Sequence, residues 1–128
     1  MPSINEVIER VSRARPDALD DDTKAAWLIE LDGKLYRDVI ARHELADGEE
    51  SPEPPASFPE DGDKPLLAQA PHDKLYDLYL MAQFDFYNRE DGNYNNSVLS
   101  FNTALDEYKK DYHRTHAPKS AGGFQNVF

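Results

Sequence analysis

The chain has 128 residues, 25 acidic against 14 basic side chains and a formal charge of -11 at pH 7, with 39% hydrophobic residues and no cysteine. That length and apolar content suit one packed domain, and the missing cysteine excludes disulfides, thiolate metal sites and a cysteine nucleophile. The longest apolar runs, 25–29 and 78–82, are far shorter than the roughly 20 residues a membrane-spanning helix needs. The N-terminal MPSINEVIER shows no basic segment leading into an apolar stretch, so the expected setting is the cytoplasm.

Ser3 and Glu6 form an S-x-x-E capping pattern, and Ile4, Val7, Ile8 and Val11 follow at helical spacing. A first helix is expected over 3–14, ended by Pro16. Asp20, Asp21 and Asp22 can cap a second helix over 21–44. Its apolar stripe contains Ala25, Leu28, Ile29, Leu35, Tyr36, Val39, Ile40 and His43, with Trp27 and Leu31 off its centre, and the helix is expected to stay whole across the interruption at Asp32-Gly33.

The segment 45–70 differs in composition: five prolines, two glycines and seven acids against one lysine. It reads as a loop or mobile arm, either functional or disordered, because unstructured connections beyond about 12–15 residues are uncommon inside compact domains. Within it, 66–68 is expected to be extended, and Phe58 is the single aromatic residue.

A third helix is expected over 73–91, capped by Asp73 and ended by the Asp91-Gly92-Asn93 turn signal. It carries apolar groups on several sides, which marks a helix that is central to the fold or covered by another chain. In a fourth helix, 94–115, Tyr94, Val98, Phe101, Leu105, Tyr108 and Tyr112 recur at intervals of three and four, as an antiparallel neighbour requires. The expected fold is all-α, a small elongated bundle of about four helices in one domain over 1–116, followed by a flexible tail over 117–128.

Few residues suggest chemistry. His113 and His116, with Asp111 nearby, give an incomplete metal set, since a zinc site needs at least a third protein ligand. The acids at 61–63 and 91–96 lack the glycine and glutamate spacing of a calcium loop, with Asn96 and Asn102 at the positions concerned. Ser97 and Ser100 belong to no nucleophile motif, and there is no glycine-rich phosphate loop. No carboxylate is visibly placed in an apolar pocket with a partner. The expectation is a protein that is not an enzyme, with no catalytic residue, cofactor or metal. The aromatic residues of the third helix, and Phe124, Val127 and Phe128 beyond Gly122-Gly123, suggest subunit contacts. Candidate interface residues are Trp27, Phe58, Tyr76, Tyr79, Phe84, Phe124, Val127 and Phe128.

Three segments together resemble a phage and prophage family: INEVIERVSRARPDALDDDTKAAWLIELDGKLYRDVI, PHDKLYDLYLMAQFDFYNREDGNYNNSVLSFNTALDEY and YHRTHAPK. The most specific pieces are Trp27-Leu28-x-Glu30-Leu31-Asp32-Gly33, Tyr94-Asn95-Asn96-Ser97 and Tyr112-x-Arg114-Thr115-His116 followed by Pro118-Lys119. The family is that of head-tail connector (adaptor) proteins. The resemblance implies a helical structural protein of the virion, made in the host cytoplasm, that forms a ring below the portal, commonly of twelve subunits. Its implied partners are its own copies, the portal and the tail-side neck proteins, with DNA passing through the channel unbound and no membrane involved. The 45–70 and 117–128 segments would then be contact arms. The alternative reading is a small acidic helical module that occupies a basic surface of a protein partner.

Overall fold

The structure is a computed structural model that describes residues 2–16, 19–45 and 48–118. Among these it contains four α-helices, α1 (Ile4–Ala14), α2 (Asp21–Asp38), α3 (Lys74–Tyr87) and α4 (Asp91–Thr115). A single 3-10 turn, Ile40–Arg42, follows α2. The all-α bundle expected from the periodicities is the one observed.

The helix starts follow local chemistry. Ser3 Oγ accepts the Glu6 N–H at 3.2 Å, and Asp20 Oδ1 accepts the Thr23 N–H at 2.9 Å, each covering a donor that a first helical turn leaves free. Asp73 precedes α3 but makes no capping bond. Its carboxylate instead accepts from Arg10 Nη1 at 3.3 Å, beside the two-pronged Arg10 to Asp77 pair at 2.8 and 2.6 Å, so the expected cap is a strut between α1 and α3.

Three boundaries differ from the sequence reading. α2 ends at Asp38 rather than 44, and the chain tightens into the 3-10 turn. As expected, α2 is one helix through Asp32-Gly33. α3 stops at Tyr87, and the turn lies at Asn88 and Arg89 rather than at Asp91-Gly92-Asn93, which opens α4. There the Arg89 N–H donates to Phe86 O and the Glu90 N–H to Asp85 O, the paired closure of a left-handed helix end. Arg89 holds the left-handed position at φ 58°, so the backbone hydrogen-bond pattern sets this turn even without glycine.

α3 touches each of the other three helices and forms a long antiparallel hairpin with α4. Most of its wide apolar surface is consumed within this chain, where Leu75, Tyr76, Leu80 and Phe84 are at most 1% exposed, while Phe86 and Tyr87 at its end are not covered. The α1 stripe of Ile4, Val7, Ile8 and Val11 meets Ala25, Leu28, Leu31 and Leu35 of α2 in the same core. Leu31, off-centre in the sequence pattern, is buried.

The second half of the acidic segment is tied to this body. The Leu66 N–H donates to Pro2 O at 2.9 Å and the Asn5 N–H to Gly62 O at 3.0 Å, while Ser3 and Pro65 form a single antiparallel bridge. Leu66 and Ala68 are core residues. Burial of such apolar groups stabilises by about 25 cal/mol per Å² removed from water, which explains how a proline-rich stretch becomes part of the packing.

Candidate functional site

Asp32 is the polar centre of the molecule. It lies on α2, is fully buried, and receives two hydrogen bonds: Tyr76 Oη donates to Oδ1 at 2.6 Å, and the Leu67 N–H donates to Oδ2 at 3.0 Å. Tyr76 Oη in turn accepts the Ala68 N–H at 2.8 Å. One carboxylate thus joins α2, α3 and the 66–68 segment, which bends at Leu67 and Ala68 rather than running extended as expected, and whose backbone donors would otherwise be left unpaired. Burial pushes the Asp32 pKa up to about 6 against the pull of Tyr76 and Leu67. Burial and the adjacent Asp32 charge hold the Tyr76 phenol well above its usual value.

Beside this network a cleft of about 510 Å³ opens between the 49–72 segment and the C-terminal half of α4. Leu66, Leu67, Tyr108 and Tyr112 give it an apolar and aromatic lining, and Glu49, Glu53 and Asp111 bring carboxylates to it. Tyr108 is 5% exposed and its hydroxyl has no hydrogen-bond partner among the described residues. Burial, and then the Asp32 charge, raise the pKa of that hydroxyl.

All four histidines of the chain gather around the same half of α4. His72 Nε2 lies 3.0 Å from Asp111 Oδ2, and His116 Nε2 lies 2.9 Å from Glu49 Oε1. His116 also stacks on Tyr112 at 3.9 Å, while His43 meets Tyr112 edge-on. The His113 ring turns to His43, with 3.3 Å between nitrogens. His113 and His116 therefore serve different partners, and among the described residues no three histidine or acidic side chains gather closely enough to hold a metal ion.

A second polar cluster sits near the α3–α4 turn. Asp85, 1% exposed, accepts from Ser97 Oγ at 2.6 Å and lies 2.7 Å from Arg15 Nη2. Arg15 also bonds Glu90 at 2.9 Å. Burial raises the Asp85 pKa, but the Ser97 hydrogen bond and the Arg15 charge outweigh it and leave it below its usual value. Around this turn large apolar groups face solvent: Phe86 and Tyr87 are 65% and 64% exposed, and Leu99 on α4 is 67% exposed. Phe86 packs only partly, against Tyr94, with ring centroids 5.4 Å apart.

Of the residues the sequence suggested as interface, Tyr76 and Phe84 are buried in this chain's own core, which removes them as contacts with a neighbour. Trp27, Phe58 and Tyr79 are half-buried against that core, Trp27 against Phe84 and Tyr79 against Phe101. Phe124, Val127 and Phe128 lie outside the described residues. The acids at 61–63 organise the loop: Asp61 accepts the Ala56 and Ser57 N–H groups, and Asp63 accepts from Asn5 Nδ2. Residues 91–96 are the opening turns of α4.

Sequence reasoning missed Asp32 and Asp85 as buried carboxylates. Each interrupts or borders an apolar stripe, and that position was the available signal. Set against protein-family models, curated proteins and solved structures, the chain matches none of them.

Proposed function

We propose that the chain is a head-tail connector subunit that joins a ring below the portal and lines the channel to the tail. The observation that carries the reading is the apolar surface left uncovered on the α3–α4 hairpin, where Phe86, Tyr87 and Leu99 are each about two-thirds exposed. Contiguous or clustered exposed apolar groups of this size favour burial against another chain, and a heterologous contact repeated around an axis closes into a ring. The family resemblance described above supplies the kind of assembly.

The residues of that resemblance have structural work in this fold. Asp32 of the Trp27–Gly33 piece ties the loop to the core, Ser97 holds Asp85, and Tyr112 and His116 stack at the end of α4. That distribution favours an assembly subunit over an enzyme, because the distinctive side chains are occupied with holding backbone and neighbours. The charge of -11 suits a channel wall that repels a phosphate backbone and lets DNA pass without sticking.

The test is mass by light scattering together with negative-stain imaging, for the protein alone and mixed with assembled portal of the same phage. Rings, or many copies bound per portal, are expected, and Phe86→Ser with Tyr87→Ser should abolish them. A monomer that ignores the portal would overturn the proposal.

A further inference from the structure

We propose that His43 and His113 form a pH-sensitive latch that holds the chain beyond α4 against the chain beyond the 3-10 turn, closed near neutral pH and opened when both rings carry an added proton. The two segments pair through their backbones. His43 and Pro118 form an isolated antiparallel bridge, and the Glu44 N–H donates to Ala117 O at 2.7 Å. Residues 119–128 continue from this point in the sequence.

The side chains at this junction fix the protonation that closure needs. Val39 O can only accept, so its 2.7 Å contact makes His43 Nδ1 the donor. In a neutral ring that leaves Nε2 as a bare acceptor, and it stands 3.3 Å from His113 Nδ1, which must then carry the hydrogen and donate. With ring centroids 5.5 Å apart, the two nitrogens point at each other. One added proton is tolerated, because on His113 Nε2 it leaves this bond in place and adds charge to its donor. A second, on His43 Nε2, turns both facing nitrogens into donors and sets like charges head to head. His43 cannot simply swing aside, since Val39 holds its other nitrogen and Tyr112 meets its ring edge-on, so relief comes from parting the segments.

The neighbouring charges sharpen the effect. Lys109, Lys110 and Arg114 lie within a turn of His113 on α4, and Arg42 and Glu44 flank His43. The remaining acids near this end are engaged elsewhere: Glu49 of the loop faces His116, and Asp111 faces His72 and Arg114. Those imidazole–carboxylate pairs tighten on taking a proton, so the same acid that parts 43–44 from 117–118 keeps the loop and His72 on α4. The open latch binds more protons than the closed one, and its closure therefore weakens as pH falls through the step that charges His43. Histidine makes that change within about pH 5 to 8. The inference stands whether or not the chain joins a ring.

The experiment follows the imidazole signals of the four histidines and the exchange protection of the Glu44 amide by NMR, from about pH 8 to about pH 5, in the full chain and in His113→Gln. Glutamine keeps a donor for His43 Nε2 near neutrality and, with its amide turned over, an acceptor for the charged ring, with no charge of its own. In the wild type, His43 should charge at a lower pH than His113, and protection of the Glu44 amide should fall roughly tenfold as it does, while amides in the middle of α4 keep theirs. In His113→Gln, His43 should charge at a higher pH than in the wild type, and Glu44 should stay protected throughout. The proposal is overturned if His43 titrates alike in the two proteins or if wild-type Glu44 shows no acid step. It is equally overturned if His113→Gln lacks that protection at neutral pH or still loses it in acid.

Discussion

Tyr76 Oη stands 2.6 Å from Asp32 Oδ1 and at the same time accepts the Ala68 N–H at 2.8 Å. The phenol is thereby the joint between the buried carboxylate of α2 and the loop that crosses the bundle. The backbone of this proline-rich loop pairs with the 2–5 backbone at Gly62 and Leu66, and at Leu67 and Ala68 side chains satisfy it instead.

Asp32 gives the fold a pH dependence of defined sign. Its pKa is about 6 in the folded state, against roughly 3.9 in an unfolded chain. The folded state thus binds the proton more tightly, and stability from this group falls as pH rises from about 4 to about 6, then stays flat. Two units correspond to about 3 kcal/mol. The stability of wild type relative to Asp32→Asn should decline by up to that amount between pH 4 and pH 7, measured by urea midpoints at each pH. A constant difference would show that the carboxylate titrates normally.

Truncating either end of the joint leaves buried donors unmatched. Asp32→Ala strands the Tyr76 hydroxyl and the Leu67 N–H, and should cost about 3 kcal/mol. Tyr76→Phe strands the Ala68 N–H and removes one donor from Asp32, and should cost about 2 kcal/mol. In both, hydrogen exchange of the 66–68 amides should accelerate more than that of α1. Uniform acceleration would mean that the joint is not local to the loop.

Asp85 has the opposite sign. Its lowered pKa means that the Ser97 and Arg15 interactions stabilise the fold above the unfolded carboxylate value and are lost as pH falls through the folded one. Asp85→Ala should cost about 2 kcal/mol at pH 7, discounted because Arg15 is partly exposed. The cost should shrink below pH 4 in acid-limb denaturation curves. An unchanged cost there would assign the effect to packing alone.

Two backbone positions can be improved. Arg89 holds φ 58° at the end of α3, and Arg89→Gly should gain about 1 kcal/mol by removing the left-handed strain. A Cβ at Gly33 would meet nothing within 4 Å, so Gly33→Ala inside α2 should gain a similar amount. Thermal midpoints that fall in either variant would show strain or contact at that position.

Phe86→Ser with Tyr87→Ser should leave the stability of the isolated chain within about 0.5 kcal/mol, because both side chains are exposed. Unfolding by urea checks this. A large loss would place these rings in the fold rather than on an interface.

By itself the sequence determined what local physics dictates. The stripes of Ile4, Val7, Ile8 and Val11 and of Tyr94 to Tyr112 specify α1 and α4, Ser3 and Asp20 specify the starts of α1 and α2, and the absence of cysteine closes whole classes of chemistry. Tertiary structure decided the rest. Which of the α3 aromatics are core and which are surface depends on where α1, α2 and α4 meet that helix, so Tyr76 and Phe84 are buried while Phe86 and Tyr87 are not. The turn moved to Arg89 because helix-end hydrogen bonds outweighed the preference for glycine at Gly92. The cleft and the Asp32 joint join residues more than 30 positions apart, and no local periodicity encodes such a meeting. Only burial of the loop against the bundle brings those charges and hydroxyls together.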